Sequence, residues 1–307
     1  RDAGYRTALV GNQHEHREPE RLGYQQVVRV PGARGRDVAP RAAEWLRQDA
    51  DRTQPFFLCV GMFEPHRPYD APGYEPDDPA SVSVLPYLPD TAEVRGEIAR
   101  LNGLIKALDQ AVGIVIEALD RRGSAGETLV VFTTDHGLAM PRAKCTLYDP
   151  GIETALLMRR PAEPRPGAVC DHLVSNVDLL PTLLDLMGLA LPGGLHGRSF
   201  ASAIDMPSGA PRSAVFAEKT FHGPCHPMRC VRTARHKYIR NWRTDLPIEI
   251  PLDVQWGFQP DLLRRSFGRP LPAEELYDLA EDPHEQRNLA AEPHCVALIE
   301  TLRQQAT

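Results

Sequence analysis

Residues 128–137 read TLVVFTTDHG, an apolar run that passes directly into an acidic residue, a histidine and a glycine. Apolar residues without polar alternation predict a strand covered on both faces, as in a parallel sheet flanked by helices. Working outward, Phe56–Phe63 (FFLCVGMF) has the same character, and Tyr5–Gly11 (YRTALVG) reads as a third strand ending at a glycine. Asp37–Gln48 predicts a modest helix with Val38, Ala42, Trp45 and Leu46 on one side. The clearest helix spans 92–121: Ile98, Leu101, Ile105, Leu108, Val112, Ile116 and Leu119 recur at helical spacing before Gly123. Ala155–Met158 adds a strand, and Asp178–Leu189 a helix with Pro181 in its first turn. This order predicts the α/β class, with a mainly parallel sheet between helices.

The pattern changes after about residue 206. Ala214–Glu218, Met228–Thr233 and Lys237–Trp242 predict an antiparallel meander, Glu274–Leu279 an edge strand and Val296–Gln304 a closing helix. The expected domains are 1–206 and a smaller α+β subdomain, 207–307. Residues 64–90 are too rich in Pro, Tyr and Asp for a regular element, and loops of that length in compact domains are usually functional.

The chain has 307 residues, 42% hydrophobic and 25% charged, an ordinary globular profile. With 35 Lys and Arg against 41 Asp and Glu the formal charge is −6, and no basic block is present, so nucleic acid is not an expected partner. No apolar run approaches the roughly 20 residues of a membrane helix. The 6 cysteines show neither CxxC pairing nor zinc-like spacing. Arg1-Asp2-Ala3-Gly4 has no signal-peptide character and reads as the middle of a domain, so an earlier segment of the protein is expected.

Function in an open parallel sheet sits past the carboxyl ends of its strands. Three polar segments lie there, Gly11-Asn12-Gln13-His14-Glu15-His16, Glu64-Pro65-His66-Arg67-Pro68 and Thr134-Asp135-His136-Gly137, with Arg142-Ala143-Lys144 beyond. His, Asp and Lys at one sheet edge can build a metal-assisted site for an anionic substrate. Asp135 is placed as a hard oxygen ligand and His136 as a nitrogen ligand, or as a loop cap and a backbone-satisfied ring. Lys144 is either a point charge for a tetrahedral anion or a solvated loop lysine.

These segments, with RAKCTLYDPGIETALLMR, HPMRCVRTARHKYIRNW and ELYDLAEDPHEQRNLA, resemble the formylglycine-dependent sulfatases of the alkaline-phosphatase superfamily, most of all the bacterial sulfamidase-like enzymes. The resemblance runs through essentially the whole chain. It implies an alkaline-phosphatase-like fold and hydrolysis of a sulfuric ester or sulfamate on a small or glycan sulfated sugar. Asp135 and His136 fall where the family places two divalent-metal ligands; Ca2+ is the implied ion, with Mn2+, Mg2+ or zinc open because imidazole replaces the usual asparagine. Lys144 matches the basic residue on the sulfate, His66 the histidine at the leaving group, and His14 the histidine near the formylglycine. Asn12 stands where the family has a lysine. His222 and Arg229 match positions that contact the sugar.

The family's nucleophile is a cysteine in a C-x-P/A-x-R context, and the one match is Cys225-His226-Pro227-Met228-Arg229. It falls in the predicted antiparallel part without the expected downstream helix, so the formylglycine is expected in the earlier segment instead. A phosphonate or phosphodiester hydrolase of the same superfamily, or a non-catalytic relative, are the competing readings. Oligomeric state and compartment stay open.

Overall fold

A computed structural model describes residues 2–48, 53–161, 167–205 and 212–306. The chain divides into two compact units, one of Arg1–Val84, Asp90–Val131 and Met158–Pro164, the other of Leu85–Pro89, Phe132–Leu157 and Arg165–Thr307.

In the first unit, β1 (Arg6–Gly11) pairs in parallel with β2 (Gln26–Val28) on one side and β3 (Phe56–Gly61) on the other. The helices α1 (Gly35–Gln48) and α2 (Ala92–Arg122) cover the face that carries Ala8, Val10, Leu58 and Val60, meeting it with Val38, Ala42, Trp45, Leu46 and Leu119. β3 is less enclosed than its apolar run predicts: Phe57 points to the opposite face, stacks on Tyr24 and stays 41% exposed. Alternation along a strand sends neighbouring side chains to opposite faces, so an unbroken apolar run does not by itself guarantee two covered faces.

α2 starts where Thr91 Oγ1 accepts the Val94 N–H and stops at Gly123, whose φ of 75° suits a left-handed cap. The irregular segment 64–84 lies against α2: Asp77 N–H donates to the Ala99 carbonyl, and Asp77 accepts from Asn102 and Lys106. Gly103 permits that approach, since a Cβ there would meet the Glu75 carbonyl at 2.6 Å.

β4 (Val130–Thr133) and β5 (Leu156–Arg159) pair with each other, joined through α3 (Asp149–Ile152). In the second unit, the helix predicted from Asp178 begins as a 3-10 turn, Asn176–Asp178, and continues as α4 (Leu179–Leu186), followed by α5 (Ala201–Asp205). The predicted meander is a four-stranded antiparallel sheet in the order β6 (Ala214–Phe221), β7 (Cys225–Thr233), β8 (His236–Asn241), β9 (Glu274–Asp278), with β9 at its edge. The short helices α6 (Leu252–Gln255) and α7 (Pro260–Phe267) interrupt β8 and β9. One sheet face packs Val231, Tyr238 and Leu276 on Ile299 and Leu302 of α8 (Val296–Gln305). The other packs Met228, Cys230, Ile239 and Tyr277 on Leu147 and Tyr148, so the segment after β4 is seated on this sheet. No described helix is long and apolar enough to cross a membrane.

Candidate active site

The chain turns at Asp135-His136-Gly137 directly after β4. Asp135 is 87% exposed, and its Oδ1 accepts the His136 N–H at 3.0 Å. His136 Nδ1 lies 2.8 Å from the Gly137 carbonyl. A carbonyl only accepts, so Nδ1 carries the proton and Nε2 the lone pair. That Nε2 lies 3.9 Å from Asp135 Oδ1. An exposed carboxylate beside an imidazole lone pair is a donor set that fits a divalent cation. Gly137 has no room for a side chain, because a Cβ would meet the Pro150 carbonyl at 2.1 Å.

The following loop folds back so that Lys144 N–H donates to the Leu138 carbonyl at 3.0 Å. Arg142 and Cys145 take φ of 59° and 67°, which costs non-glycine residues energy and persists where surroundings fix it. Here the Arg142 guanidinium donates to the His284 and Glu285 carbonyls and stacks 3.9 Å over Tyr148. The result aims Lys144 at α6: Nζ lies 2.8 Å from Asp253 Oδ2, the side chains being 12% and 17% exposed. Lys144 is therefore not a solvated loop lysine.

Cys145 faces a second charged group. Glu249 accepts from Lys219 Nζ at 2.7 Å, His222 Nδ1 at 3.0 Å and Gly223 N–H at 2.8 Å. Burial would raise its carboxyl pKa, but Lys219 and these N–H donors outweigh that and hold it below the ordinary range. Cys145 Sγ, a His222 nitrogen and a Glu249 oxygen lie within 4.8 Å of one another. A cation there would have to displace both the Lys219 ammonium and the thiol proton, which burial holds up to about 11. These groups therefore read as an ion-paired wall. Arg229 is elsewhere: it pairs across the strands with Glu218 at 2.8 Å and lies over Trp242. The adjacent cross-strand pair Lys219–Met228 occupies the opposite face by strand alternation, so the structure does not bring Arg229 together with His222.

In the first unit, His66 follows β3, its Nδ1 2.7 Å from the Arg67 carbonyl and its ring 4.7 Å from Phe63. Two buried anchors hold its flanks. Glu64 accepts the Gly35 N–H at the start of α1 at 2.7 Å, and also Tyr74 Oη. Arg67 pairs with Glu97 of α2 and lies 3.9 Å over Tyr69. His14 is exposed in the loop after β1. Glu64 and Arg67 stand inside the EPHRP motif and were within reach of sequence reading as its anchors. Asp253, Glu249 and Lys219 carry no such signal.

A family model described as "Sulfatase" matches residues 1–189, and one described as "N-sulphoglucosamine sulphohydrolase, C-terminal" matches residues 136–253. The chain belongs to the sulfatase family. It is 31% identical to human N-sulphoglucosamine sulphohydrolase, over 99% of this chain and 70% of that protein. It is 31% identical to an ulvan-active sulfatase of Formosa agariphila, over 69% of this chain but only 37% of the relative. A protein solved with its substrate D-glucosamine-2-N,6-O-disulfate shares the fold, with a TM-score of 0.74 at 16% identity, covering 99% of this chain and 79% of that one. The alkaline-phosphatase-like α/β fold expected from sequence is thus present, in a family of hydrolases that generally uses a divalent metal and formylglycine.

Proposed function

We propose that this sulfatase-family chain hydrolyses a sulfuric ester or sulfamate on a sulfated sugar, with 1–206 as catalytic domain and 207–307 as C-terminal subdomain. The carrying observation is the largely enclosed Lys144 ammonium, one loop beyond the Asp135–His136 donor pair. Its charge would meet the sulfonyl oxygens where negative charge develops during S–O or S–N cleavage, an electrostatic role a fixed ammonium fills without reorganising. Asp135 and His136 Nε2 would hold the divalent cation, Ca2+ by resemblance, which when bound draws charge from the same oxygens.

With Nδ1–H held by the Arg67 carbonyl, His66 protonated on both ring nitrogens would release its Nε2 proton to the departing sugar oxygen or nitrogen. His14 is the further family histidine, and the exposed side of His222, held by Glu249, would meet the sugar. For formylglycine, Cys225 has the right neighbours but opens β7 of the antiparallel sheet, so this residue does not fit the group. The test is parallel turnover of N-sulfoglucosamine, an O-sulfated glucosamine and an aryl phosphodiester. Sulfate release from either sugar at a higher kcat/KM than phosphodiester turnover is expected; the reverse order would replace this reading with the phosphodiesterase one.

A further inference from the structure

The geometry points to Asp253 as the residue that positions the Lys144 ammonium, an inference that rests on Lys144 being the sulfate contact. A lysine reaches its target on a flexible four-carbon stem and surrenders rotamer entropy when fixed. In this chain both ends are fixed before any substrate arrives. The Lys144 backbone is closed onto Leu138, between the left-handed Arg142 and Cys145. Its Nζ gives one N–H to Asp253 Oδ2 at 2.8 Å, which leaves the rest of the ammonium's donor set to aim at an anion. Asp253 is itself immobilised: Pro251 O accepts the N–H groups of Val254 and Gln255, both at 2.9 Å, and Val254 is 0% exposed.

The neighbouring cation Lys219 has its own carboxylate in Glu249. The low exposure of Lys144 and Asp253 leaves their attraction little screened. Asp253 also opposes ground-state binding, because a carboxylate next to the ammonium weakens its pull on the singly charged sulfate group. A positioning role therefore separates rate from affinity.

The test is steady-state kinetics on a sulfated glucosamine with Lys144→Met, Asp253→Asn and the double variant of the active protein. Asp253→Asn should lower kcat about 10–100-fold, the range for residues that orient a catalytic group, with KM unchanged or lower. Combined with Lys144→Met it should cost nothing further, because the residue it orients is gone. An unchanged kcat in Asp253→Asn while Lys144→Met is impaired, or losses that multiply in the double variant, would overturn the inference alone. Full activity in Lys144→Met would overturn the reading of Lys144 and this inference with it. If Asp253→Asn does not fold, the cycle runs with Asp253→Glu. Its displaced carboxylate should slow the enzyme with Lys144 present and have no effect without it; an equal effect in both backgrounds overturns the inference.

Discussion

Lys237 Nζ and Glu285 Oε1 stand 2.7 Å apart, and neither side chain is exposed to solvent. The same ammonium reaches Asp149 Oδ1 at 2.5 Å and the Leu147 carbonyl at 3.1 Å, while Glu285 Oε2 accepts the Asp149 N–H at 2.7 Å. One lysine of β8 thus clamps the loop that carries Lys144. Lys237→Met should destabilise the protein by about 3–5 kcal/mol, because it leaves the buried Glu285 carboxylate without its cation, while Asp149 keeps Arg232. A urea midpoint unchanged from wild type would contradict the clamp.

Glu274 ties β9 to α8 through Arg303 at 2.7 and 2.9 Å and also accepts from Tyr238. The Arg303 hydrogen bond, acting against burial, lowers its carboxyl from the ordinary 4.5 to about 2. Between those values the unfolded chain binds the proton and the folded chain does not, so stability rises with pH there. The contribution is fully present above about pH 4.5 and lost as the pH falls toward 2. Thermal melts of Glu274→Gln should have a shallower acid limb than wild type between these pH values; parallel limbs would contradict the assignment.

Thiol reactivity should follow burial. Burial pushes Cys145 up to about 11 and Cys230 up to about 12, whereas Cys170 and Cys225 are exposed. Iodoacetamide near pH 8 should label Cys170 and Cys225 well before Cys145 and Cys230, because the thiolate is the nucleophile. Peptide mass mapping checks the order, and early labelling of Cys145 would contradict its placement.

The turn after β4 requires glycine for space. A Cβ at Gly137 would lie 2.1 Å from the Pro150 carbonyl, a backbone atom that cannot swing aside. Gly137→Ala should cost about 1–3 kcal/mol, the range for overpacking, and lower activity through displacement of the Asp135–His136 pair. A variant with wild-type melting temperature and rate would show that this turn is not held as described.

The fold was legible wherever hydrophobic period and caps agreed. α2 announced itself by spacing and by Gly123, and the strands by short apolar runs, because these signals are local. The apolar run of β3 predicts more covering than the strand has, since Phe57 faces away from α1 and α2 and keeps much of its surface exposed. Among the candidate residues, Asp135, His136, His66 and Lys144 stand in recognisable contexts. Their partners do not: Asp253 lies 109 residues from Lys144 in sequence, and Glu285 136 residues from Asp149. Pairs at such separations are created by packing the loop on the antiparallel sheet, which no local pattern records. Arg229 shows the converse, a residue in a suggestive motif that strand alternation turns toward Glu218.

Under the proposed function, Asp135 takes part in metal-assisted release of sulfate from a sulfated sugar. It is tested most directly by measuring sulfate release from N-sulfoglucosamine and bound divalent metal, side by side, for the wild-type protein and Asp135→Ala. Metal-dependent release by the wild type is expected. In the variant, metal binding should weaken and the rate fall by about 100-fold or more, in line with losing a preorganised electrostatic group. Undiminished sulfate release by Asp135→Ala, with metal still bound, would contradict it.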